Sequence, residues 1–250
     1  MPLALHIATS SRAKQVVYLE YGLAPENKYP GQLCQLVDAV NHLLQQGVKP
    51  SQLILAGDSA GVHLIIGLLA HITKPCPKAP APLDLGGEQI RAAVLLSPWL
   101  DMQLTSVAPA TGTMDVLTST QLANSAKLFG TNPTHPWCEP LVAEDGVEIL
   151  RKAFSGSGDT KPVVGKVLVT IGDAEVLFES CQQFFANFEQ FETVVMDGKG
   201  KDAIKSIAEK EAFVFAVGLG EVHVQPGIDI ATGFYNGGTM TALTAFLNTL

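Results

Sequence analysis

The chain has 250 residues, of which 47% are hydrophobic and 16% charged, with a formal net charge of −8 and a mean hydropathy of +0.24. That length suits one sizeable core, so residues 1–250 are expected to form a single domain, and the low charge content excludes a disordered chain. The acidic balance argues against nucleic acid or an anionic membrane surface as a partner, because both are polyanions that would repel it.

Residues 1–7 are apolar but brief, lack a basic start and reach no convincing cleavage site, so they read as helix and not as a signal peptide. Residues 15–21 (QVVYLEY) are β-branched and aromatic and are predicted to form the first strand, ended by Gly22 and Pro25. Leu33, Leu36, Val37, Val40, Leu43 and Leu44 recur by threes and fours up to Gly47, the pattern of an amphipathic helix. A strand over 52–56, a helix over 60–73 and strands over 90–96, 166–171 and 212–217 follow. Strands alternating with helices predict a parallel α/β sheet whose functional groups gather at the strands' carboxyl ends.

Two stretches interrupt that alternation. Residues 75–87 read as a surface loop rich in Pro and polar residues. Residues 101–163 are longer than a strand-to-helix connection should be and carry helical patches at 121–129 and 147–154, so they are expected to form a lid. The apolar stretch 62–72 is interrupted by His63 and His71 and is too short to span a bilayer. The six histidines and four cysteines show no metal-ligand spacing, so no metal site is expected. Cys34, Cys76, Cys138 and Cys181 read as free thiols in a reducing compartment, the cytoplasm.

The chemistry concentrates at Gly57-Asp58-Ser59-Ala60-Gly61, a G-x-S-x-G pentapeptide between an apolar strand and a helix. A strand that turns sharply into a helix holds the serine at the apex in a strained conformation. Side chains at Gly57 or Gly61 are expected to collide with neighbouring backbone. Ser59 then needs a base. Of His6, His42, His63, His71, His135 and His223, only His223 follows a late core strand in a glycine-rich loop. His63 and His71 read as residues of the core or of a helix end. Chain order in this architecture places a carboxylate between the serine and the histidine, after the fourth strand. Asp173, Glu175 and Glu179 qualify, and position favours the first two.

These residues resemble the α/β-hydrolases of the hormone-sensitive-lipase type, and within them a fungal branch of esterases and deacetylases. The resemblance is carried by Tyr21-Gly22-Leu23-Ala24-Pro25-Glu26 with Tyr29-Pro30, the Ser59 pentapeptide, Leu96-Ser97-Pro98-Trp99, Glu139-Pro140-Leu141 and His223-Val224-Gln225-Pro226, in the family's order. It implies a three-layer sandwich with a mostly parallel sheet and a helical lid. It selects Glu175, ahead of Val176-Leu177, as the acid, with Asp173 in reserve. Glu26 and Asp58 would buttress the loop and the elbow.

The chain also departs from the family. Val62-His63 stands where Gly-Asn is commoner, and residues 198–210 are a polar insertion before the fifth strand. Met1 falls just past the place of the family's His-Gly-Gly-Gly loop, so the sheet is expected to be shortened at its amino-terminal side. Ala60 N–H would be the remaining oxyanion donor, and loss of one such donor costs about 3–4 kcal/mol. The uncovered edge is expected to favour homodimer formation or aggregation. The implied activity is hydrolysis of a hydrophobic small-molecule ester by Ser59, His223 and Glu175, as carboxylesterase or deacetylase, in a setting of secondary metabolism and without a cofactor. Two rivals stay open: a catalytically impaired remnant that binds a ligand or partner, and an acyltransferase using the same acyl-enzyme.

Overall fold

A computed structural model describes residues 2–104, 115–158, 160–196 and 201–250. In chain order the elements are α1 (Pro2–Ser10), α2 (Gly31–Gln45), β1 (Ile54–Asp58), α3 (Ala60–Thr73), β2 (Ile90–Leu96), α4 (Ser119–Phe129) and α5 (Gly146–Ser155). There follow β3 (Val164–Gly172), α6 (Phe178–Phe185), β4 (Glu192–Met196), α7 (Lys201–Lys210), β5 (Phe213–Gly218), α8 (Gln225–Thr232) and α9 (Gly238–Leu247). The strands form one sheet in the order β1-β2-β3-β5-β4, with every pair parallel.

Successive strand residues face opposite sides of a sheet, and two helical layers exploit this. Leu95, Val169 and Phe215 join a core with residues of α2, α3, α5 and α6, while Val94, Leu168 and Val214 join a second core with α7 and α9. A three-layer α/β-hydrolase sandwich results, as the sequence implies.

One expected strand is absent and one strand is additional. Residues 15–21 form no strand, and Val17 and Tyr18 are 56% and 53% exposed. β propensity reports fit to a half-buried ladder, and among the described residues no neighbouring strand supplies one here; β1, the nearest strand in the sequence, is itself the sheet's edge. Conversely, β4 (Glu192–Met196) is a strand although its sequence, ETVVM, is short and largely exposed; it gains its backbone bonds by pairing with β5. The polar insertion contains α7, whose Ile204 and Ala208 are buried against α9. Residues 198–200 of that insertion lie outside the described residues.

Residues 101–163, expected to form the lid, divide. α4 opens on a capping box between Thr118 and Gln121 and ends at Gly130 in the left-handed conformation. α5 lies against α3 and buries Ile149, Leu150, Ala153 and Phe154 in the main core. The Phe154 ring meets Phe188, Phe191 and Phe213 edge-on, at centroid distances of 5.2, 5.5 and 6.1 Å. α5 is therefore a core helix. Residues 105–114 and 159 lie outside the described residues.

Candidate active site

The register of the parallel ladder brings the site together. Asp58 pairs with Leu96, Leu96 with Thr170, and Gly172 with Gly218, so the loops after β1, β2, β3 and β5 all leave the same sheet edge. Ser59 lies at the first of these exits with φ 51° and ψ −112°, a conformation a non-glycine residue adopts only under constraint. Its N–H donates to the Leu96 carbonyl at 2.9 Å. A Cβ on Gly57 would stand 2.8 Å from the Gly61 carbonyl carbon and 3.0 Å from Ile65 Cδ1, so the strand can turn here only with glycine. The matching expectation for Gly61 is corrected: nothing lies within 4 Å of its Cβ position, because its exposed side faces open space. Ala60 begins α3, where first-turn N–H groups have no intrahelical acceptor and are available to a developing oxyanion.

Glu175 and His223 meet directly. His223 Nδ1 and Glu175 Oε2 are 2.9 Å apart, and both residues are buried. An ionised carboxylate can only accept, so Nδ1 carries the proton and the neutral ring keeps its Nε2 lone pair free. Glu175 Oε1 accepts from Ser97 Oγ and from Gly172 N–H, both at 2.7 Å. Ser97 Oγ in turn accepts the Val224 N–H at 2.9 Å. Ser97 and Val224 have φ of 49° and 52°, so three strained non-glycine residues, counting Ser59, cluster at this one edge. No direct hydrogen bond joins Ser59 Oγ to His223 among the described residues; ligand-free sites are often loose at this contact.

The other two acid candidates stand aside. Asp173 is exposed and its Oδ1 accepts the Gly220 N–H at 2.6 Å, tying the β3 exit to the loop that carries His223. Glu179 is exposed on α6. Gly172 permits the close approach of the two loops, since a Cβ there would overlap the Glu221 carbonyl. Glu221 itself is buried and accepts from Thr239 Oγ1 and the N–H groups of Gly238 and Thr239, which anchors the loop to α9.

The remaining histidines have structural surroundings. Burial lowers His63 to a pKa of about 4, and its Nε2 donates to the Cys138 carbonyl at 2.7 Å. His71 Nδ1 accepts the Cys76 N–H, His6 pairs with Thr244, and His135 lies beside Asn132. His42 is exposed on α2. The side chains of Glu26 and Asp58 are exposed and make no hydrogen bond or ion pair among the described residues, so neither acts as a buttress. Buried Gln32 does that work, donating through Nε2 to the carbonyls of Gly22 and Asn27. Two residues of the site were not singled out from sequence. Ser97 stood inside a quoted motif, whereas Asp115, which reaches the loops that carry Glu175 and His223, has no local signal. Among the described residues, no helix is long and apolar enough to cross a membrane.

Comparison with known proteins agrees with this fold. A family model described as alpha/beta hydrolase fold matches residues 2–195, and the chain belongs to that family. It is 29% identical over 195 residues to an esterase of Acinetobacter venetianus, covering 77% of this chain and 57% of that protein. It is 33% identical over 129 residues to an acetyl-hydrolase of Streptomyces hygroscopicus, covering 50% of this chain and 40% of that protein. The chain therefore spans about half the length of these relatives. Among solved structures, an esterase from the bacterial hormone-sensitive lipase family superposes with a TM-score of 0.65 at 27% identity, covering 97% of this chain and 68% of the other. Carboxyl esterase 2 of the mycorrhizal fungus Tuber melanosporum superposes with a TM-score of 0.64 at 20% identity, covering 99% and 71%, a likeness of fold alone.

Proposed function

We propose that the chain carries the active centre of a serine carboxylic-ester hydrolase acting on a short acyl ester of a hydrophobic alcohol, acetyl esters first. Ser59 Oγ attacks the acyl carbon while His223 Nε2 takes its proton, and the tetrahedral oxyanion forms beside the Ala60 N–H. His223 returns the proton to the departing alkoxide, leaving an acyl-Ser59 ester. Water, activated by the same nitrogen, then releases the acid. Glu175 holds the Nδ1–H tautomer and stabilises the imidazolium. None of these steps requires a cofactor.

The observation that carries the reading is the buried Glu175–His223 bond on the same sheet edge as the strained Ser59 elbow. The activities named for the Acinetobacter and Streptomyces relatives support it. Hydrolysis of p-nitrophenyl acetate and its loss in Ser59→Ala test it; activity unchanged by that substitution excludes it. The free edge of β1 favours a second reading, a non-catalytic protein that binds a partner or a second copy along that edge. A chain that does not hydrolyse the ester but dimerises would support it. α4 belongs to the lid in this proposal, and the four unpaired cysteines suit the cytoplasm.

A further inference from the structure

Asp115 lies outside every motif read from the sequence, yet its carboxylate spans the two loops that hold the acid and the base. Oδ1 accepts the backbone N–H of His223 at 3.0 Å, and Oδ2 accepts the backbone N–H of Val176, the residue after Glu175, at 2.9 Å. Oδ1 also accepts the Val116 N–H at 2.7 Å. Both loops leave neighbouring strands, and their N–H groups at these points have no other partner among the described residues. A group with two acceptor oxygens and no donor is the simplest device that can satisfy both at once.

We propose that Asp115 is a positioning residue that sets the separation between Glu175 and His223, and so couples the segment after β2 to the catalytic pair. The proposal rests on the Ser59 hydrolase reading for its kinetic consequence but not for its geometry. The chain adopts a strained left-handed backbone at Val224, immediately after His223. Two acceptors hold that bend: Ser97 Oγ on the Val224 N–H and Asp115 Oδ1 on the His223 N–H. Without Asp115, the His223 backbone keeps only the contacts made through its ring and through Val224. The imidazole is then free to drift from the position Ser59 requires, and displacements near 1 Å cost about 10²-fold in rate. Because the residue acts through the pair and touches no substrate, its loss should lower kcat and leave KM nearly unchanged.

Asp115→Asn and Asp115→Ala test this, each alone and combined with Glu175→Gln, with circular dichroism to verify folding. Asn keeps one acceptor and places an amide donor against the other N–H, whereas Ala removes both acceptors. The expected result is a fall in kcat of about 10²-fold in Asp115→Ala, with a KM change below about threefold. In the Glu175→Gln background the same change should cost less than about threefold, because the geometry it maintains is already lost. An equal loss in both backgrounds, or a kcat within about threefold of the parent in Asp115→Ala, overturns the proposal. Amide hydrogen exchange at Val176 and His223 is the readout that does not need turnover. Both amides should be protected in the parent and should exchange faster in Asp115→Ala, even if the parent proves inactive and the hydrolase reading fails. Unchanged protection overturns the proposal in either case.

Discussion

Glu175 and His223 form a buried pair joined at 2.9 Å, 5% and 7% exposed, although 48 residues separate them in the chain. The approach exists because β3 and β5 are neighbours in register, and because Gly172 lets their exit loops touch. Glu175→Gln should therefore lower kcat by about 10⁴-fold, since an amide supports the wrong imidazole tautomer. Glu179→Gln, at an exposed position, should change it less than about twofold. Stopped assays on p-nitrophenyl acetate measure both. Equal losses would move the acid away from Glu175.

The elbow predicts an asymmetry between its two glycines. Gly57→Ala places a methyl group 2.8 Å from backbone and should abolish both stability and esterase activity. Gly61→Ala meets open space in the first turn of α3 and should retain activity, with a stability gain of about 0.5–1 kcal/mol from helix propensity. Thermal melts of the two variants check this; similar behaviour would contradict the geometry.

Buried His63 makes the stability of the fold depend on pH. Burial depresses its pKa from 6.5 to about 4 in the folded chain, so the unfolded chain binds more protons between those values. Stability from this group is complete above pH 6.5 and is lost as pH falls toward 4, on the order of 3 kcal/mol in all. Glu139 and Glu221, raised by burial, contribute with the opposite slope. Comparison with His63→Gln, which keeps a donor for the Cys138 carbonyl, isolates the histidine. Denaturant midpoints should fall more steeply below pH 6.5 in the parent than in the variant, and parallel curves would refute the assignment.

Phe154 carries the packing of α5 on the core. Only 1% of it is exposed, and its ring meets three other phenylalanines. Phe154→Ala should cost about 3–5 kcal/mol in urea unfolding. A cost below about 1 kcal/mol would place α5 outside the core, as a true lid helix would be.

The parts of the fold that could be read from sequence are those where local pattern and tertiary setting agree. The buried strands β2, β3 and β5 show as apolar runs, and α2 and α3 as periodic helices between clear stops. Ser59 and His223 were legible because a strained turn and a late glycine-rich loop leave residue signatures. Glu175 was separable from Asp173 only through family resemblance; the burial that distinguishes the two in the fold is not a local property. Residues 15–21 were misread because strand propensity says nothing about whether a partner edge exists. β4 and α7 were missed because a short exposed strand and a mostly polar helix carry weak patterns. Asp115 could not be found at all, since its partners lie 61 and 108 residues away.

The central claim is that Ser59 is a nucleophile activated by His223, and covalent labelling with a fluorophosphonate probe tests it most directly. Peptide mapping should place the adduct on Ser59, with the labelling rate falling by orders of magnitude in His223→Ala and in Glu175→Gln. A folded chain that takes no label, or that takes it at another serine with the same rate in all three proteins, would contradict the account.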